Sequence, residues 1–153
     1  MSSLVERDYI MRLVKQLAAL LAAVLKLKQE KKYDQALEQL QGAFPGFFGI
    51  EYRTLTAIDS ASAAQLLGEA AKIKILARLI EEEAVVYHSR GDELRCAARQ
   101  VHALELYIEA ALRDPRDGGI ASAMEALLKQ VEPEDLGEKY QVWLQSQSHS
   151  TAG

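Results

Sequence analysis

Apolar residues recur along this chain at the spacing of amphipathic helices. Between Tyr9 and Leu27, the residues Tyr9, Ile10, Leu13, Val14, Leu17, Leu20, Leu21, Val24, Leu25 and Leu27 fill an arc of about 160° when placed at about 100° per residue. The opposite arc holds Arg12, Lys15 and Lys26 among Ala19, Ala22 and Ala23, so that side can meet water. A stripe this wide exceeds what one neighbour covers. A first helix is therefore predicted from about Leu4 to Glu30, packed against two elements or against one element and a second subunit.

A second helix is predicted from Tyr33 or Asp34 to Phe44, where Pro45 and Gly46 stop it. The aromatic connector from Phe44 to Tyr52 is expected to tuck under the helices; its alternative role is an exposed interaction surface formed by Phe47 and Phe48, with Arg12 and Lys15 as further surface candidates. Ser62-Ala-Ala-Gln65 has the form of a capping box opening a short helix that Gly68 ends. A longer helix follows from near Glu69, with Ala70, Ile73, Leu76, Ala77, Ile80, Ala84 and Tyr87 on one apolar face and Gly91 at its carboxyl end. Another spans about Asp92 to Arg113, its stripe being Leu94, Ala97, Ala98, Val101, Leu104, Ile108 and Leu112, until Asp114 to Gly119 break it. A last pair runs from Ile120 to Val131 and from Pro133 to about Gln147, with Trp143 and Leu144 turned toward the core. These elements predict an all-α fold of about six to seven helices, in one domain over residues 1–146 with a disordered polar tail at 147–153.

Composition agrees. The chain has 153 residues, 49% of them hydrophobic, with three prolines and nine glycines among long runs of helix-favouring Ala, Leu, Glu, Lys and Gln. Residues 1–77 carry ten basic against eight acidic side chains, and residues 78–153 eight against fourteen. The basic cluster Lys26, Lys28, Lys31 and Lys32 lacks the arginines and aromatics of a nucleic-acid surface and reads as a solvated helix end. Glu81-Glu82-Glu83 reads likewise as a solvated face. The apolar run Leu17 to Leu25 is too short for a bilayer core that needs about 20 residues, and Glu6 and Asp8 stand where a signal peptide would be basic. With a single cysteine, Cys96, and no asparagine, neither an intrachain disulfide nor N-glycosylation is available, and a cytoplasmic location is expected.

Candidate chemistry is sparse. His102 and Glu105, one helical turn apart, form a weak metal candidate, with Glu109 beyond them. His88 beside Ser89 reads as a helix end, Cys96 between Arg95 and Arg99 as a small core residue, and Gly118-Gly119 as a helix breaker without the lysine of a phosphate loop. No cofactor is expected.

Two segments, Leu27-Lys-Gln-Glu-Lys-Lys-Tyr33-Asp-Gln-Ala36-Leu37 and Tyr87-His-Ser-Arg-Gly91-Asp-Glu-Leu-Arg-Cys96-Ala97, resemble the turns and second helices of tetratricopeptide-repeat pairs. Leu27, Ala36, Leu40 and Ala43 in the first, and Ala84, Tyr87, Gly91, Cys96 and Ala103 in the second, match the large and small positions of that pattern. Val24, Gln100 and the missing terminal prolines depart from it, and about 60 residues separate Ala36 from Cys96. Together with Asp8-Tyr-Ile-Met-Arg12 and Ala103-Leu-Glu-Leu-Tyr107, these segments resemble a family of small uncharacterised bacterial proteins with a degenerate, repeat-like helical fold. The resemblance implies helix pairs in a right-handed stack and brings no catalytic residue. The expected function is a non-enzymatic interaction or scaffolding module for a protein or peptide partner, or a homodimer, with neither nucleic acid nor membrane as partner. The alternative is a small enzyme or a ligand- or metal-binding protein using an interhelical pocket lined by His102, Glu105 or Tyr107.

Overall fold

A computed structural model describes the backbone of residues 4–152 and the side chains of residues 4–148. The described residues form nine α-helices, one 3-10 turn and no strand, so the chain is all-helical with more helices than expected. They are α1 (Leu4–Gln29), α2 (Tyr33–Gly42), α3 (Phe44–Phe48), α4 (Tyr52–Thr56), α5 (Ser60–Leu67), α6 (Ala70–Ser89), α7 (Glu93–Arg113), α8 (Gly118–Leu128) and α9 (Glu138–Ala152), with the 3-10 turn at Pro133–Asp135.

The additional elements are α3, within the aromatic connector, and α4, which starts at the connector's last residue, Tyr52, and runs to Thr56. Phe44 is fully buried, and Phe48 and Tyr52 meet it edge-on with ring centroids 5.4 and 5.0 Å away. Gly49, at φ 68°, turns the chain between these short helices. Helix α5 begins earlier than its sequence signal suggests, because Asp59 rather than Ser62 caps it, its carboxylate accepting from the Ser62 amide at 2.7 Å. Pro133 opens the 3-10 turn and not a long helix; α9 starts at Glu138 and continues to Ala152, beyond the expected end near Gln147.

Helices α6 and α7 are the centre of the molecule. On α6, Ile73, Ile75, Leu76, Ala77, Leu79, Ile80, Ala84, Val86 and Tyr87 are buried, so almost every direction around the helix meets protein. It packs most extensively on α7 and also meets α1, α2 and α5. The α7 stripe holds in its middle, where Leu104 and Ile108 are fully buried and Val101 half-buried, and requires correction at its ends: Leu94 is 84% exposed, Ala97, Ala98 and Leu112 are open, and Cys96, Ala103, Tyr107 and Ala110 are buried as well. Small residues there let α7 lie close to α6.

Two helical hairpins, α1–α2 and α6–α7, close with the same turn. Lys31 (φ 60°) and Gly91 (φ 85°) occupy the left-handed position. The Lys31 amide bonds the Lys28 carbonyl and the Lys32 amide the Leu27 carbonyl, at 2.9 and 2.8 Å; Gly91 to His88 and Asp92 to Tyr87 repeat this at 3.0 and 2.9 Å. Ala36 and Cys96, both buried, hold equivalent places one turn into the second helix. Left-handed residues of this kind satisfy the last carbonyls of a helix, and glycine does so with least strain.

Candidate interaction groove and its polar surroundings

The wide stripe of α1 is only partly used. Leu13 and Val24 are buried, Leu17, Leu20 and Leu27 pack partly against the core, and Val14 and Leu25 remain 46% and 50% exposed. Ile10, Val14, Leu17 and Leu21 form one wall of a groove of about 590 Å³, floored by Ile75 and Arg78 of α6 and Tyr107 of α7 and closed opposite by Ala123 of α8. A shallower depression bordered by Glu6, Met11 and Arg113 shares Ile10 and Ala71 with it and extends the trough toward the start of α1. From Leu21 to Glu6 the trough follows α1 for roughly 22 Å at about 1.5 Å per residue.

Its polar border is already ordered. Lys74 donates to both carboxylate oxygens of Asp117, at 3.0 and 3.2 Å, and Asp117 Oδ1 caps α8 by accepting from the Gly119 and Ile120 amides. Burial acts to raise the Asp117 carboxyl, but Lys74 and the two amides outweigh it and hold it below the ordinary range. The break after α7 falls where expected, at Arg113, and Gly118 and Gly119 at its far end form the first turn of capped α8. Tyr107 donates to Glu81 at 2.8 Å, and burial together with that carboxylate pushes its phenol well upward.

The run Glu81-Glu82-Glu83, expected as a solvated face, is drawn inward. Glu82 is 5% exposed and accepts from Lys28 of α1 at 2.8 Å and Arg78 at 2.9 Å. Although burial raises its pKa, these two cations bring it below the ordinary value. Glu83 is fully buried; Tyr52 and Gln41 donate to its Oε2 at 2.8 and 3.0 Å, while Arg99 Nε stands 3.5 Å from its Oε1 without a well-aligned hydrogen bond. Burial dominates there and pushes the carboxyl upward. Arg99 instead donates from Nη2 to the Tyr52 hydroxyl at 3.1 Å.

The other carboxylates proposed from sequence fasten helices together. Glu105 accepts from the Ser60 hydroxyl of α5 at 2.7 Å and from the Gly137 amide before α9 at 2.8 Å. Glu109, 2% exposed, accepts from Tyr140 and Lys139 of α9, both at 2.7 Å, and from Arg113 at 3.0 Å. His102 is half-buried, and burial, with a smaller contribution from Arg99, lowers its pKa to about 4. His102 and Glu105 belong to no three-donor cluster among the described residues. Phe47 is buried and Phe48 half-buried, which corrects their candidacy as an interaction surface, since stacking of the connector under α2 hides them. Arg12 and Lys15 are exposed, but helical periodicity sets them across from the groove wall, and Arg12 lies over the Tyr9 ring at 6.0 Å.

Sequence reasoning did not join His88, Glu93 and Cys96, whose donor atoms all lie within 4.8 Å of one another at the α6–α7 turn. Their spacing, five and then three residues, spans that turn, so the signal was visible only once the turn had been placed. No family model, curated protein or solved structure matches the chain. Among the described residues, no helix is long and apolar enough to cross a membrane.

Proposed function

We propose that this chain is a protein-interaction or scaffolding module, built as degenerate tetratricopeptide-like hairpins, whose α1–α6–α8 groove receives an apolar segment of a protein partner. One observation carries the reading: Val14, Leu17 and Leu21 line an open trough and leave the α1 stripe without a full partner. An amphipathic helix laid along such a groove buries side chains at intervals of three and four residues. Each aliphatic side chain moved fully out of water contributes about 1.5–3 kcal/mol, so two or three anchors suffice for specific association once ordering costs are met. The pairing of the two identical turns, 60 residues apart, supports a repeat-like origin for the scaffold.

The test is a photoreactive amino acid placed at Val14, with Arg12 across the helix as control. Discrete protein adducts from Val14 alone, either with another protein or with a second copy, support the groove; equal labelling at both positions, or none in cells, overturns it. Mass measurement by light scattering at several concentrations separates the homodimer from a heterologous partner.

A further inference from the structure

We propose that His88, Glu93 and Cys96 form a binding site for a zinc-class divalent ion at the α6–α7 turn, in a cavity that shares only Glu81 with the α1 groove. The imidazole closes α6, the carboxylate opens α7, and the thiol stands one turn farther along α7 on the same side as Glu93. His88 Nδ1 and Glu93 Oε1 are 2.8 Å apart, and all three donors fall within 4.8 Å. A tetrahedral ion with bonds of about 2.0–2.3 Å keeps its donors roughly 3.3–3.8 Å apart, which small rotations of the exposed His88 and Glu93 side chains reach while buried Cys96 stays in place.

The turn that presents these donors is rigid. Its left-handed Gly91 and two backbone bonds fix the end of α6, and the Asp92 carboxylate caps α7 through the Arg95 amide at 3.1 Å. The same turn in the first hairpin offers the control within the molecule: Lys28, Tyr33 and Ala36 stand where His88, Glu93 and Cys96 stand in the second. The turn geometry therefore does not demand histidine, glutamate or cysteine. Alanine satisfies the packing at the buried position, so the thiol is an addition to what the hairpin needs.

All three residues also line a cavity of about 580 Å³ whose walls include Glu81, Gln100 and Gln130. Three protein donors leave one position of a tetrahedral ion for water on the cavity side, within a polar surround. A thiolate with an imidazole selects zinc-class ions over magnesium or calcium, which favour all-oxygen sites.

Cobalt(II) reports such a site directly, because thiolate coordination produces a near-ultraviolet charge-transfer band. The reduced full-length chain titrated with cobalt(II) alone should develop that band to one equivalent, and zinc(II) should bleach it. Cys96→Ala, which places in the second hairpin the residue already present in the first, should keep its helical circular dichroism and lose the band. His88→Ala and Glu93→Gln should each weaken cobalt affinity by about tenfold or more, the scale found for lesser changes around metal ligands. His102→Ala should leave it unchanged. No charge-transfer band in the parent chain, saturation only at millimolar cobalt, or a band equally strong in His88→Ala and Glu93→Gln overturns the proposal. Crosslinking at Val14 is unaffected by either result.

Discussion

Removing the Tyr140 hydroxyl measures how α9 is held to the body of the protein. Tyr140 donates to Glu109 Oε2 at 2.7 Å, with both side chains buried, while Lys139 and Arg113 complete the carboxylate's partners. A hydrogen bond to a buried charged group contributes about 1.5–3 kcal/mol. Because Lys139 still neutralises Oε2, Tyr140→Phe should fall near the lower end, about 1.5 kcal/mol. Glu109→Gln keeps an acceptor for Tyr140 but loses two ion pairs whose cations are partly exposed, about 0.5 kcal/mol each. The tyrosine bond also weakens to the roughly 1 kcal/mol of a neutral pair. The single glutamine variant should therefore cost about 1.5 kcal/mol. The double variant should cost about 0.5 kcal/mol less than the sum, the signature of direct coupling. Urea unfolding followed by Trp143 fluorescence suits the measurement, since this is the only tryptophan and it lies half-buried in α9. Burial works to raise the Glu109 carboxyl, but Lys139, Tyr140 and Arg113 together hold it below its ordinary 4.5. The stability it supplies is thus complete above about pH 4.5 and fades as pH falls through the lower folded value, so the wild-type advantage over Glu109→Gln should shrink in acid. Additivity of the two substitutions within about 0.3 kcal/mol would refute the reasoning.

Three other expectations rest on separate features. Lys31→Gly should stabilise the chain by about 1 kcal/mol in thermal unfolding, because a non-glycine residue at φ 60° is strained, whereas Gly91→Ala should destabilise it by a similar amount through the backbone, with nothing near to clash. Arg99→Met, which leaves the buried Glu83 carboxylate without its cation, should cost about 3–5 kcal/mol, and Glu83→Gln under about 1.5 kcal/mol at neutral pH; because burial raises the Glu83 pKa, its ionisation lowers stability as pH rises above about 4.5, and the deficit of Glu83→Gln should narrow along that rise in urea titrations. The His102 ring resonances should titrate near pH 4 by NMR, and the folded-state preference for the neutral ring means stability falls as pH drops from 6.5 toward 4, a dependence that His102→Leu should remove.

Helix positions were legible because capping and breaking residues announce them locally. Gly68, Gly91 and Asp114 end helices where the sequence says they should, and of the large and small residues read on the tetratricopeptide pattern Ala36, Leu40, Ala84, Tyr87, Cys96 and Ala103 are buried, Leu27 and Ala43 half-buried and Gly91 exposed. Periodicity alone misled at α7, where Leu94 extends an apparent stripe into water. In the first turns of α7 it is Cys96 that is buried, while Leu94, two residues before it, faces water. The connector's helices escaped notice because five residues are too few to show a period, and aromatic packing rather than propensity shapes them. The polar clusters were hidden for a different reason: apart from Arg99 beside Glu83 and Arg113 one turn from Glu109, the partners of Glu83, Glu105 and Glu109 lie about 30 to 45 residues away, and no local pattern announces a long-range hydrogen bond.

The three consecutive glutamates of α6 also settle a question of alignment. Successive residues on a helix point about 100° apart, so Glu81, Glu82 and Glu83 address three different surroundings: Tyr107, then Lys28 with Arg78, then Gln41, Tyr52 and Arg99. Alanine- and leucine-rich faces accept several rotational settings at similar energy. Carboxylates do not, because turning α6 by one residue would carry each into a pocket built for its neighbour and strand buried charge. The triplet therefore works like the notches of a key, admitting one setting of the central helix among many that greasy packing would tolerate.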